Sequence, residues 1–156
     1  AASGAAATLR DAGVEVTLAV TDLDGAPARL ATASHDGLPV AVHAHGDNVD
    51  ALERWVPQFA GDRLLPTTQA APAGPVRNFG GFTDGDRAAF LADALDAATL
   101  TFVGWSFDDP AVSDLKARKL QWAERLLYWL ETRREEQFPV LDGRRKNLTL
   151  PTADRR

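Results

Sequence analysis

Apolar residues recur along this chain in two alternating rhythms, short valine-rich runs of strand length and longer stretches at helical spacing. Residues 5–12 are good helix formers closed by Gly13, and residues 14–20 form a β-branched run too short for a helix. The polar loop Thr21-Asp22-Leu23-Asp24-Gly25-Ala26-Pro27 follows. Residues 28–34 predict a second helix closed near Gly37, and residues 39–43 (Pro-Val-Ala-Val-His) a second short strand. Val49, Leu52, Trp55, Val56 and Phe59 stand at helical spacing within residues 47–59, with Asp47 or Asn48 as N-cap and Pro57 ending or kinking the last turn. Residues 63–68 are a third strand candidate, weakened by Pro66, and the alanine, proline and glycine of residues 70–75 mark a loop. Residues 83–95 predict a helix, residues 100–103 a strand ending at Gly104 and Trp105. Residues 113–134 predict the longest helix, with Leu115, Leu120, Ala123, Leu126, Leu127 and Leu130 as its buried stripe.

Strands alternating with helices at this spacing predict an α/β fold of three layers, a mostly parallel sheet with helices on both faces. In such sheets ligands sit beyond the carboxyl ends of the strands. The clusters at Asp22, His43 and Gly104 all follow expected strand ends, and the glycine-rich segment after residue 77 falls in an equivalent loop. Residues 1–135 are expected to form the main domain. Residues 136–156, with Phe138-Pro139-Val140, a basic patch at Arg144, Arg145 and Lys146, and Leu148-Thr149-Leu150, form a tail that reads as an edge strand or hairpin, or as a frayed end.

Composition narrows the function classes. At 156 residues, 45% hydrophobic and 25% charged, the chain has the make-up of one globular domain. Its net charge of -5 implies no attraction to nucleic acid or anionic membranes, so small-molecule partners are expected. The absence of cysteine excludes disulfides, thiolate metal sites and cysteine nucleophiles. No apolar run approaches the roughly 20 residues that span a bilayer, and a soluble cytoplasmic protein is expected. The chain holds no methionine, even at position 1, which predicts a piece of a longer product.

Four clusters carry candidate chemistry. Asn78-Phe79-Gly80-Gly81-Phe82-Thr83-Asp84-Gly85-Asp86-Arg87 places glycines that permit close backbone approach before a helix start capped by Thr83 or Asp84, a setting that favours anions. The alternative is a glycine-rich turn with an N-cap and no chemistry. Asp22 and Asp24 offer oxygen ligands to a hard cation such as Mg²⁺, or form an Asp-rich turn with Gly25. His43 and His45 fall on the same side of an extended segment, where they contact phosphate or substrate, bind a transition metal with Asp47, or play a structural role. Thr67, Thr68 and Gln69 end a strand with three hydrogen-bonding side chains. Lys116 and Lys119, three apart on one helix, can reach a polyphosphate or simply face solvent. Trp122 and Trp129 share a stripe and read as core or as a homo-oligomer contact, whereas Trp105 and Phe107 suit stacking on an aromatic ligand.

Taken together, Val20-Thr21-Asp22-Leu23-Asp24-Gly25, Val42-His43-Ala44-His45-Gly46-Asp47-Asn48, Thr67-Thr68-Gln69 and residues 78–87 closely resemble the archaeal 6-hydroxymethyl-7,8-dihydropterin pyrophosphokinase family. The match in order and spacing covers residues 1–132. The resemblance implies a Rossmann-like relative of the thiamine pyrophosphokinase catalytic domain, lacking its N-terminal strand, that transfers the terminal diphosphate of ATP to the pterin's hydroxymethyl group with Mg²⁺ and releases AMP. It makes Asp22 and Asp24 the Mg²⁺ site and, with His43, His45 and Asp47, the catalytic set. Asn48, Thr67, Thr68, Gln69, Asn78, Gly80, Gly81, Thr83, Asp84, Asp86, Arg87, Lys116 and Lys119 would then hold substrate or nucleotide. Ala2-Ser3-Gly4-Ala5 departs from the family pattern, in which related kinases carry an acidic residue within an Ala-Asp-Gly-like opening. A thiamine diphosphokinase, a nucleotide-sugar transferase relative and a nucleotide- or pterin-binding module without turnover are the alternatives, and a histidine-metal hydrolase ranks after them.

Overall fold

The computed structural model describes residues 1–150. It is an α/β structure in two compact units, one ending at Gly80 and the other beginning at Gly81. The first unit runs α1 (Ser3–Asp11), β1 (Ala19–Thr21), α2 (Pro27–His35), β2 (Val40–Ala44), α3 (Val49–Trp55) and β3 (Leu64–Thr68). Its strands form one parallel sheet in the order β1-β2-β3, paired Ala19↔Val40 and Val40↔Leu64. Every residue of β1 and the first four of β2 are buried, as the continuous apolar runs of a parallel sheet require. Ala19, Val40 and Leu64 share one sheet face by register. They belong to a core with Ala6 of α1, Leu30 and Ala33 of α2, Leu52 and Trp55 of α3, and Phe59.

Local chemistry sets the element ends. After α1, Gly13 adopts φ +74, its N–H reaches the Arg10 carbonyl, and the Val14 N–H reaches that of Leu9, a left-handed glycine cap. Gly37 and Leu38 close α2 in the same way onto Ser34 and Ala33, with Leu38 buried against the core. The first cap explains a difference from the expected strand over residues 14–20. Val14 is drawn into the helix terminus, so β1 begins only at Ala19. Pro57 converts the end of α3 into a 3-10 turn, Val56–Gln58, as its missing N–H dictates. Pro66 is accommodated within β3, where its carbonyl accepts from the Arg77 N–H and the Thr68 N–H bonds back to the Arg77 carbonyl.

The second unit holds α4 (Asp84–Ala94) and α5 (Asp114–Arg134), followed by 3-10 turns at Pro139–Leu141 and Arg145–Asn147. Phe90, Leu127, Leu130, Phe138 and Leu141 form its core, with Leu100, Phe102 and Trp105 packed against it. Burying each such side chain contributes about 1.5–3 kcal/mol. The strand expected over residues 100–103 is absent. Leu100 and Phe102 turn inward to the core of this unit, while Val103 is 91% exposed, so these residues follow the packing of the unit rather than a strand period. Leu115, expected on the buried stripe of α5, is 63% exposed, because the core contact begins one turn later at Leu120.

The described part of the stretch expected as an edge strand or hairpin holds the two 3-10 turns, and residues 151–156 lie outside the described residues. The basic patch is not a free one. Arg144 pairs with Glu124 and Asp108, and Arg145 with Glu131 and Asp142. Among the described residues no helix is long and apolar enough to cross a membrane.

Candidate functional site at the strand ends of the first unit

Because β1, β2 and β3 are parallel, their carboxyl ends fall on one edge of the sheet. That edge gathers Asp22 after Thr21, His43 near the end of β2, His45 after Ala44, and Thr67, Thr68 and Gln69 at the end of β3. The Asp22 loop is tightly built. Leu23 adopts φ +73 and plants its side chain in the core, its N–H bonds Thr21 Oγ1 at 2.9 Å, and the Asp24 N–H reaches Asp22 Oδ1 at 3.3 Å. Gly25 lets the loop pack closely, since a Cβ there would lie 2.7 Å from Ser3 Oγ and 3.3 Å from Gly4 N. Asp22 and Asp24 each offer a carboxylate oxygen within 4.8 Å of the other. Two hard oxygen donors so close suit a Mg²⁺ ion that keeps several waters and shares phosphate oxygens, so the residues fit the implied metal.

Ser3, which the sequence marks only as a departure from the family pattern, proves to be part of this loop. Its hydroxyl donates to Asp24 Oδ1 at 3.2 Å and lies 3.4 Å from Thr21 Oγ1. The available signal was its place at a helix start beside a glycine.

The imidazoles of His43 and His45 stack with centroids 6.3 Å apart, as same-side residues of an extended segment should. Their surroundings differ. His43 is buried, and its Nδ1 lies 3.1 Å from Thr67 Oγ1, which donates to the Val42 carbonyl. That hydroxyl's one proton is thereby used, so the Nδ1 of His43 is the donor in this pair. His45 is partly buried between carboxylates, Nδ1 at 2.9 Å from Asp47 Oδ1 and Nε2 at 3.6 Å from Asp22 Oδ2.

Backbone bonds from side-chain amides stitch the edge together. Asn48 Nδ2 reaches the carbonyls of Asp22 and His43, and Gln69 Nε2 reaches that of His45 at 3.3 Å. Asn78 Nδ2 lies 3.2 Å from the carbonyls of Gln69 and Ala70, while its Oδ1 accepts from Gly80 N.

The rest of the glycine segment belongs to the second unit. Gly81 adopts φ +88, and a Cβ there would lie 2.6 Å from the Arg87 Cα. A Cβ on Gly85 would meet the Trp105 ring at 2.1 Å. Trp105 in turn packs edge-on to Phe102, so it is a core residue of this unit rather than an exposed stacking platform. Thr83 is the N-cap of α4, and Asp86 at N3 reaches back to it as in a capping box. The fully buried Asp86 carboxylate accepts from Phe82 N at 2.6 Å, from Thr83 N at 2.7 Å, and from the Thr83 hydroxyl. Burial pushes its pKa up, against these bonds, which favour the charged form. Arg87 is buried 3.6 Å from Asp84. Lys116 and Lys119 stand exposed on the first turns of α5, whose Ser113 cap accepts from Lys116 N.

A parallel α/β sheet with two aspartates and a His–Asp pair at its strand ends defines an α/β protein with a polar strand-end site. Similarity to known proteins makes the relationship specific. The chain is 41% identical to the 6-hydroxymethyl-7,8-dihydropterin pyrophosphokinase of Methanothermobacter thermautotrophicus, over 83% of this chain and 61% of that protein. Proteins of the same name from Pyrococcus furiosus (42% identity, 84% of this chain, 61% of that protein) and Methanocaldococcus jannaschii (32%, 88% and 64%) are also similar. These comparisons bear out the resemblance carried by the four motifs, and the chain is a relative of the archaeal 6-hydroxymethyl-7,8-dihydropterin pyrophosphokinases. It spans 61–64% of the length of these three relatives. No family model matches the chain.

Proposed function

We propose that this chain carries the site of a cytoplasmic enzyme that transfers diphosphate from ATP to 6-hydroxymethyl-7,8-dihydropterin, in folate or methanopterin biosynthesis. The sheet is proposed to belong to a three-layer, Rossmann-like fold related to the thiamine pyrophosphokinase catalytic domain. The single observation that carries the reading is the pair Asp22 and Asp24, with neighbouring oxygens at the parallel strand ends, in a chain similar to pyrophosphokinases over most of its residues.

Diphosphoryl transfer depends on positioning and charge neutralisation more than on a covalent nucleophile. In the proposed reaction the pterin's hydroxymethyl oxygen bonds the β-phosphorus of ATP, the bond from that phosphorus to the α–β bridging oxygen breaks, and AMP leaves. Asp22 and Asp24 are the residues proposed to hold Mg²⁺, which neutralises polyphosphate charge when bound. His45 donates through Nδ1 to Asp47, an arrangement that orients the ring and leaves Nε2 to accept the proton the hydroxyl loses. His43 lines the same edge. Thr68 and Gln69 are proposed to contact substrate, as are the glycine loop with Thr83, Asp84 and Arg87, and Lys116 and Lys119 to contact phosphate.

The test is incubation of the full-length protein with ATP, Mg²⁺ and the pterin. AMP and pterin diphosphate should appear in equal amounts. If neither forms, while calorimetry still detects binding of both ligands, the site is a binding module without turnover.

A further inference from the structure

Asn48 does not use its side chain as its position favours. It is the N-cap of α3, where an asparagine oxygen ordinarily accepts a hydrogen bond from the first helical turn, yet no such bond forms. The amide turns away from the helix instead. Nδ2 donates to the Asp22 carbonyl at 3.0 Å and to the His43 carbonyl at 2.8 Å, and Oδ1 accepts from the His45 N–H at 3.1 Å. A carboxamide carries two N–H hydrogens, and both are used. Asn48 therefore has no donor left for a phosphate or a pterin, in contrast to the substrate contact expected from the motif.

The three backbone groups it binds lie where the sheet stops. The β1–β2 ladder ends at Thr21↔Val42, so the Asp22 peptide is the first one beyond it. Asp22 and His43 are the next residues on each strand, and Asn48 joins their carbonyls through one nitrogen. We propose that Asn48 is a positioning residue that extends the β1–β2 connection past its last ladder pair. It thereby holds the Asp22 and Asp24 carboxylates in the arrangement that takes a divalent cation, and fixes the turn that carries His45. The metal part of this role rests on the Mg²⁺ reading above; the clamp itself rests on the three hydrogen bonds.

Two substitutions in the full chain separate the clamp from general damage to the fold. Asn48→Ser removes both cross-strand donors and supplies a hydroxyl able to cap α3, which offsets loss of helix stability. Asn48→Asp is isosteric, keeps an acceptor for the His45 N–H and lacks both donors. Amide exchange is followed by NMR at Leu23, Asp24 and His45, with Mn²⁺ affinity as the metal probe.

Exchange at Leu23 and Asp24 is expected to accelerate about tenfold or more in both variants, an opening of that loop alone. The His45 amide should stay protected only in Asn48→Asp. Mn²⁺ affinity of Asn48→Ser should fall about tenfold, the lower end for loss of an outer-shell partner. Wild-type exchange rates at Leu23 and Asp24 in both variants would overturn the clamp. A wild-type chain that binds no Mn²⁺ would overturn the metal reading and this role toward it, and the exchange rates would still decide the clamp.

Discussion

His45 Nε2 stands 3.6 Å from Asp22 Oδ2, although the two residues are 23 positions apart and follow different strands. The parallel β1–β2 pairing brings them together, since Thr21 sits opposite Val42 and each chain runs on past the same sheet edge. A histidine ring and a candidate metal ligand thus share one corner of the first unit.

Asp22→Asn and Asp24→Asn should each weaken Mn²⁺ binding at least tenfold, because each removes one of two charged oxygen donors to a hard cation. Turnover in the full-length protein should fall by about 10² or more with transition-state charge left uncompensated. Titration calorimetry with Mn²⁺ measures the first effect and steady-state kinetics the second. Unchanged Mn²⁺ affinity in both variants would remove the metal assignment.

Gly85→Ala should destabilise the second unit by about 1–3 kcal/mol, the range for overpacking a filled core, because the new Cβ would lie 2.1 Å from the Trp105 ring. The double variant Gly85→Ala, Trp105→Leu should recover part of that loss. Denaturant unfolding of the four proteins reads the coupling directly. Additive effects would show that the two positions do not meet in solution.

Asp86→Ala strips the part-buried Phe82 and Thr83 amides of their acceptor. Each such hydrogen bond contributes about 0.5–1.5 kcal/mol, so the variant should lose about 1–3 kcal/mol in chemical denaturation. Asp86→Asn, with one oxygen kept, should lose less. Equal stability of the two variants would place the Asp86 contribution in packing rather than in these bonds.

The buried Glu131 gives the fold an acid-sensitive contact. Burial alone would raise its pKa, but the Arg145 guanidinium and the Phe138 N–H outweigh that and hold it below the 4.5 of a free glutamate. Since the folded value lies below the unfolded one, the stabilisation is complete above about pH 4.5 and is lost as pH falls through the folded value. Glu131→Gln should therefore flatten the acid limb of a stability-versus-pH curve. It should also destabilise the chain by about 3–5 kcal/mol at neutral pH, the usual cost of breaking a buried pair from one side. A variant that loses stability with acid as steeply as the wild type would assign that limb to other carboxylates.

Much of the first unit was legible in the residues. Gly13 and Gly37 mark helix ends that the left-handed cap realises, Pro57 ends α3, the run over residues 39–43 becomes the buried strand β2, and only the end of the run over residues 14–20 enters β1. These features are local, decided by a backbone angle, a missing N–H or a side-chain period. The reading failed where a local signal competed with a longer-range one. Residues 100–103 have strand-like composition, yet Leu100 and Phe102 join an aromatic core with Phe138, and that packing sets their conformation.

By itself, the sequence determined most of the alternation of helices and strands, the glycine helix ends, the Thr83 cap and the four polar motifs placed at expected loops, because period, turn chemistry and residue type act within a few positions. Only the tertiary structure decided what those polar groups do. Asn48 could not be seen as a clamp until the backbone groups that bind it were in place. Nor does spacing show that Gly85 exists to admit Trp105, or that Arg145 is bound to Glu131. Hydrogen bonds and close contacts between residues 14 to 26 positions apart depend on which chain segments the core brings side by side.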